Sequence, residues 1–345
     1  MVERKTLLVG SIPGEDTQHA VDLAMRELGS TLLAVPDGET GTRSQWVASI
    51  IDGLRTNPAV RLKKDGDWSS YDDRPRYAVR RGSEIDPASL ELGYLSAHRQ
   101  SRPIVEVLSD EHGLSPTTHQ VGVASGFDLA LFALGLRGGL RHREAFNTAV
   151  AREIEAVSVD SDGDVVFQIE APVELTMVAR APRLVRRRVA AWSAGLCNEL
   201  PQMTSPGTRF GVHLCFGDLG NRALVRGLRD CSAVVELANA IAARWPSAVT
   251  LEYLHLPLAA GEEPPSLDPA YYAPLKGLRV PATTHVVAGF VHERLSQLQL
   301  NDVLRLVESS AGRRVDIGAP CGLGRREREV ARGLMKSSLM LCSAT

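Results

Sequence analysis

The feature that most limits what this chain can fold into is a rhythm of eight short apolar runs separated by amphipathic stretches. The runs are TLLVGS (6–11), TLLAVPD (31–37), THQVGVAS (118–125), VVFQIEAP (165–172), RFGVHLC (209–215), AVTLEYL (248–254), HVVAGFV (285–291) and RVDIGAP (314–320). Each is rich in β-branched residues and almost continuously apolar, as parallel strands covered on both faces must be. Between them, TQHAVDLAMRELG, CSAVVELANAIAARWP and LSQLQLNDVLRLVESSAG carry helical periodicity and run out at Gly29, Pro246 and Gly312, residue types that stop helices. Strands alternating with helices predict an α/β fold, a (β/α)8 TIM barrel occupying residues 1–345 as one domain; an open doubly wound sheet is the rival arrangement. Residues 56–86 break the rhythm. They are polar and turn-rich, which predicts an insertion after the second strand, a hairpin over one barrel mouth. The long stretch 256–278 reads as a loop that shapes the active site.

Composition narrows the class of partner. The chain is 44% hydrophobic and 23% charged with a formal net charge of −2, so nothing in the total favours a nucleic acid. The arginine clusters at Arg186, Arg187 and Arg188 and at Arg325, Arg326 and Arg328 read as solvated helix faces. No apolar run approaches the ~20 residues that span a bilayer, so no membrane partner is expected. The N-terminal stretch has no long apolar region followed by a small-residue cleavage site, and the five cysteines are scattered. Together these predict a reducing, cytoplasmic setting with free or metal-bound thiols.

The chemistry-bearing residues fall at the ends of the predicted strands. His213 and Cys215 stand two apart in RFGVHLC, on one face of a strand. Glu252 lies in TLEYL and Cys321 follows the last run, in IGAPCGLG. Barrels build their sites from the C-terminal ends of strands, so four metal-binding side chains are expected on one rim. Imidazole, thiolate and carboxylate together suit Zn2+, and sulfur argues against Mg2+ or Ca2+. Such an electron-rich set suits holding a substrate sulfur as its nucleophilic thiolate.

These residues resemble the C-terminal catalytic barrel of the cobalamin-independent methionine synthases, within the wider superfamily that includes uroporphyrinogen decarboxylase. VHLC, TLEY and PCGLG match that family's zinc-binding stretches in order, which implies zinc-ligand roles for His213, Cys215, Glu252 and Cys321. VGSIP, DGET and FQIEAP resemble its substrate-binding stretches and imply that Ser11, Glu39 and Glu170 hold an amino-acid substrate. VVAGFVH resembles the strand that ends in its catalytic histidine, implying His292. The resemblance implies zinc-dependent methyl or alkyl transfer to a small-molecule thiol similar to homocysteine, with a corrinoid protein or folate as methyl donor. The chain has room for one barrel where the folate-dependent enzymes resemble two. Alternatives on the same barrel are a zinc-dependent lyase or hydrolase, and a metal-free decarboxylase or small-molecule-binding protein.

Overall fold

The computed structural model describes residues 3–344 apart from 71 and 218. In chain order the first half comprises β1 (Thr6–Leu7), α1 (Thr17–Leu28), β2 (Val35–Pro36), α2 (Trp46–Gly53), β3 (Val60–Lys64), β4 (Arg76–Val79), α3 (Tyr94–Glu111), β5 (His119–Ala124), α4 (Gly126–Asp160) and β6 (Val165–Ala171). The second half comprises α5 (Pro172–Arg180), α6 (Arg183–Glu199), β7 (Arg209–Leu214), α7 (Ser232–Ala242), β8 (Thr250–Pro257), α8 (Pro269–Tyr272), β9 (His285–Gly289), α9 (Gln297–Ala311), β10 (Asp316–Gly318) and α10 (Arg328–Cys342). Each of the eight apolar runs supplies a strand at its expected place.

Those eight strands form one parallel sheet in the order β1-β10-β9-β8-β7-β6-β5-β2. Its two edge strands meet: a parallel bridge joins Thr6 to Leu32, and the Leu33 amide donates to the Thr6 carbonyl at 2.8 Å. The sheet therefore curls on itself as a (β/α)8 barrel, and the open-sheet alternative is set aside. Helix ends follow local chemistry. The Asp16 side chain caps α1, Ser296 and Gln299 form a reciprocal capping box on α9, and Gly312 ends α9 in the left-handed region. Among the described residues no helix is long and apolar enough to cross a membrane.

Inside the barrel the side chains change character from floor to mouth. The floor is apolar, with Leu7, Ala34, Val166, Tyr253 and Val287 packed together. Above it the Tyr253 hydroxyl lies 3.1 Å from Gln120 Oε1 and 2.9 Å from Gln168 Oε1, while Gln120 Nε2 donates to the Leu8 and Val9 carbonyls. The Tyr253 ring crosses so close to the β7 backbone that a Cβ on Gly211 would sit 2.0 Å from it, so only glycine fits there. Polar groups buried this deep must be partnered, and this amide layer leaves Gln168 Nε2 donating to Glu170 Oε1 at 2.6 Å. The layer thus hands the mouth a fixed carboxyl.

The polar segment 56–86 forms an antiparallel hairpin, β3 with β4. It is latched to α4 by Arg74, whose guanidinium lies 5.4 Å over the Phe132 ring and whose Nε donates to the Phe132 carbonyl at 3.3 Å. The α4 helix is interrupted three residues on, at Gly135, where φ is 75°.

Candidate active site

At the C-terminal mouth, the β7 residues that face inward are Gly211, His213 and, just beyond, Cys215. The register pairs His213 with His255 on β8. Cys321 arrives from the segment after β10. Its sulfur lies 3.6 Å from Cys215 Sγ and 3.6 Å from His213 Nε2, and the three donor atoms all lie within 4.8 Å of one another. With Zn–S of ~2.3 Å and Zn–N of ~2.0–2.1 Å, a tetrahedral zinc sets its ligands about 3.8 Å apart for two sulfurs and about 3.6 Å for sulfur and nitrogen. The trio therefore fits a zinc ion, and the sulfurs are far beyond the ~2.05 Å of a disulfide.

The imidazoles are ordered by a chain of hydrogen bonds. His255 Nε2 lies 2.9 Å from the Ala319 carbonyl, which can only accept, so Nε2 carries the hydrogen. Burial holds His255 down at about 4 and His213 well below the usual histidine range, so both rings are neutral at pH 7. His255 Nδ1 is then an acceptor, and His213 Nδ1, 2.8 Å away, must donate to it. His213 Nε2 is left with a bare lone pair facing Cys321. That is the tautomer a metal ligand needs.

The structure corrects Glu252. Alternation along β8 turns Tyr253 and His255 into the barrel and Glu252 away from it. Its carboxylate is paired with Arg209, at 2.8 and 3.1 Å, near the start of both strands. The carboxyl beside the trio is instead Glu170, with Oε2 3.8 Å from His213 Nε2. His292 is also not brought to this group. It is buried, Nε2 meets the Gly261 carbonyl at 3.1 Å, and Nδ1 accepts from the Arg294 amide at 3.2 Å. Residue 261 belongs to the long 256–278 stretch, which covers His292 and not the pocket.

Ser11, Glu39 and Glu170 do converge with the two thiols around one pocket of about 190 Å3. Glu39 reaches it through a strained turn. Its φ is 48°, its amide donates to Asp37 Oδ1 at 3.0 Å, and Asp37 Oδ2 is held by Arg43 at 3.1 Å. A non-glycine residue in the left-handed region persists only where its surroundings insist on it. Here the gain is placement. Trp46 Nε1 donates to Glu39 Oε1 at 3.1 Å, and that oxygen comes so near β1 that a Cβ on Gly10 would lie 2.7 Å from it. Burial, and then Asp37, push the Glu39 carboxyl up to about 7. Burial, and then Glu39, raise Glu170 well above the usual carboxyl range. Two buried carboxyls raised in this way beside one pocket are a site for a cation. The Ser11 hydroxyl accepts from the Gly324 amide at 3.3 Å at the pocket's edge, where Arg325 also lines the wall.

Sequence reasoning missed several of these residues. His255 was hidden by the nearby Glu252, although it is the strand neighbour of His213. Trp46, Trp68 and Phe132 form the apolar side of the pocket, and nothing in their local sequence marks them. Arg325 lines the pocket and Arg326 is buried, its Nε donating to Glu293 at 3.0 Å; the solvated helix face expected there is a loop over the site.

No protein-family model matches the chain, and no curated protein sequence does. Solved structures do match. A B12-independent methionine synthase from Shewanella sp. W3-18-1, in complex with selenomethionine, aligns over 99% of this chain and 97% of its own at 13% identity, with a TM-score of 0.61. A candidate vitamin-B12-independent methionine synthase from Listeria monocytogenes aligns over 97% and 95% at 12% identity, TM-score 0.55. A methyltransferase from Methanosarcina mazei aligns over 98% and 94% at 11% identity, TM-score 0.52. Over nearly its whole length, then, this chain shares the barrel fold of proteins described as methionine synthases and methyltransferases.

Proposed function

We propose that this barrel is a zinc-dependent enzyme that transfers a methyl or alkyl group to the thiol of a small amino-acid substrate similar to homocysteine. The observation that carries the reading is the shared pocket: a His–Cys–Cys trio spaced for zinc lies beside two buried carboxyls suited to an ammonium. His213 Nε2, Cys215 Sγ and Cys321 Sγ would hold the ion. Zinc, when bound, favours the thiolate over the thiol of a sulfur brought to it.

The chain's own groups supply the rest. Burial drives Glu39 and Glu170 toward their protonated forms. An arriving ammonium favours both groups as carboxylates, their protons passing to solvent, with Glu39 as its main partner and Glu170 left free to accept a proton. Ser11 Oγ and Arg325, which line the same pocket, suit the substrate carboxylate. Glu170, the carboxyl nearest the thiol pair, takes up the proton as the substrate S–H ionises. The sulfur then forms the new S–C bond, and the donor keeps the electron pair of the bond it breaks. Trp46, Trp68 and Phe132 keep water from the sulfur, and the fixed contacts hold it in line with the donor. Orientation of this kind lowers a barrier by several kcal/mol. The donor class, corrinoid protein or folate, is set by what fills the pocket's apolar side.

X-ray absorption at the zinc edge tests the reading. Adding L-homocysteine to the zinc-loaded protein is expected to add one sulfur neighbour to the metal. A zinc that keeps its oxygen neighbour with every amino thiol would favour a lyase or hydrolase, and a protein that takes up no zinc would favour a metal-free barrel.

A further inference from the structure

Arg43 stands one step behind the pocket. Ser44, Gln45 and Trp46 line the wall, whereas Arg43 does not, and its side chain is only 20% exposed. Its Nε is 3.1 Å from Asp37 Oδ2, and its Cζ lies 5.4 Å from the centre of the Trp46 ring, within range of a cation–π contact. Asp37 and Trp46 are the two residues that hold Glu39. Asp37 Oδ1 accepts from the Glu39 amide, and the Trp46 indole donates to Glu39 Oε1. One guanidinium therefore backs both the main chain and the carboxyl of Glu39.

The loop needs such an anchor. Gly38 and Gly41, to either side of Glu39, also have positive φ, at 78° and 55°, and a backbone so rich in glycine leaves many shapes open. The Ile12 amide donates to the Gly38 carbonyl at 2.9 Å and the Arg43 amide to the Thr40 carbonyl at 3.0 Å. Neither bond reaches the Glu39 side chain. Trp46 is fixed in turn by Tyr94, whose ring meets it edge-on at 5.7 Å and whose hydroxyl accepts from the Ala124 amide at 3.2 Å, at the end of β5. Burial works against the charge on Arg43, and Asp37 and Glu39 more than offset it, so the guanidinium stays a cation behind the wall. Lysine would keep the charge without the geometry, because only a planar fork donates to a carboxylate while lying against an indole.

We infer that Arg43 is a positioning residue for the substrate ammonium. By fixing Asp37 and Trp46 together it sets the Glu39 carboxyl where an α-amino group meets it, and so makes the pocket prefer amino thiols to plain thiols. The inference rests on the amino-thiol reading, but the hold of Arg43 on Glu39 is measurable without any thiol.

Two measurements on the full chain test it. In the first, without thiol, proton–nitrogen NMR follows the Trp46 Nε1–H signal, identified by its absence in Trp46→Phe. Arg43→Gln is expected to move that signal in the same direction as Glu39→Ala, as the bond to Glu39 loosens. In the second, calorimetry on the zinc-loaded protein compares L-homocysteine with γ-mercaptobutyrate, the same thiol acid without the amino group. Wild type is expected to favour homocysteine by about tenfold or more, the worth of one hydrogen bond to a charged group. Arg43→Gln should lose most of that preference while γ-mercaptobutyrate binding and zinc stoichiometry stay unchanged, and Arg43→Lys should recover only part of it. A Trp46 signal unmoved in Arg43→Gln, an equal loss of both thiols, or a preference fully kept in Arg43→Gln or Arg43→Lys would each overturn the inference. A wild type that binds neither thiol while the Trp46 signal still moves would instead sink the amino-thiol reading, and the ammonium role with it, leaving the hold of Arg43 on Glu39 in place.

Discussion

His213 Nδ1 lies 2.8 Å from His255 Nδ1, and the far nitrogen of His255 is tied to the Ala319 carbonyl at 2.9 Å. One backbone oxygen thereby decides which nitrogen of His213 is bare, two rings away. His255 acts through His213 and is a positioning residue. Replacing it by Phe keeps the ring volume and removes the acceptor, so His213 can take either tautomer. Loss of such a partner costs 10–100-fold in metal affinity. His255→Phe is expected to raise the apparent zinc Kd by about that factor in a chelator competition. Nitrogen-15 spectra should show mixed His213 tautomers in the apoprotein. A variant with one clean Nδ1–H tautomer would contradict the relay.

The trio also separates two readings of the candidate metal site. Cys215→Ser and Cys321→Ser should each lose most bound zinc, because each removes one of three converging donors. Glu252→Gln should keep full stoichiometry. Its cost is the half-exposed pair with Arg209, up to about 1 kcal/mol of stability. Metal analysis after chelator-free purification decides the matter, and zinc loss in Glu252→Gln would restore the carboxylate to the metal.

How the sequence pointed to these residues is instructive. The strands were legible because parallel strands covered on both faces must be apolar throughout, and loops between them cannot be. His213, Cys215 and Cys321 were legible for a related reason, since a strand's end fixes where its last side chains lie. Glu252 was misplaced by one feature of the same geometry: in an unbroken apolar run nothing shows which alternate residues face inward. Tyr253 settles it through Gly211 and the two glutamines, contacts that span as many as 133 residues of sequence. The apolar side of the pocket was illegible for a different reason. Trp68 and Phe132 meet only because Arg74 docks the hairpin on a broken helix, and neither turn chemistry nor periodicity records that docking.

Glu39 gives a pH-dependent test. Its carboxyl is raised from 4.5 to about 7 by burial and Asp37. Between those values the folded state binds a proton that the unfolded state has released, so this group's contribution falls as pH rises and levels off above about 7. The buried neutral histidines act in the opposite sense below their usual range, so the clean measurement is a difference. Glu39→Gln mimics the protonated carboxyl. Its melting temperature should match wild type near pH 5 and exceed it by pH 8. Homocysteine should then stabilise wild type and not the variant, because the ammonium has lost its partner. A melting-temperature gap that is constant from pH 5 to 8 would show that Glu39 keeps its ordinary titration.

Trp68 joins backbone strain to the pocket. It has φ of 63°, and its indole Nε1 is buried with no hydrogen-bond partner among the described residues. A bulky side chain in the left-handed region costs on the order of 1–3 kcal/mol, so the local turn would be better served by glycine. What the tryptophan provides is a wall of the pocket, with an N–H available to a ligand. Trp68→Gly is therefore expected to leave the melting temperature unchanged or to raise it slightly, the relief of strain offsetting lost packing and added chain entropy. It should also open the pocket. Substrate affinity is expected to fall about tenfold, the equivalent of ~1.4 kcal/mol, while zinc stoichiometry is untouched because Trp68 is not one of the three candidate ligands. Trp68→Phe restores the wall without the N–H and should recover part of the affinity. A glycine variant that binds substrate as tightly as wild type would show that the strained turn serves the hairpin's own fold and not the site.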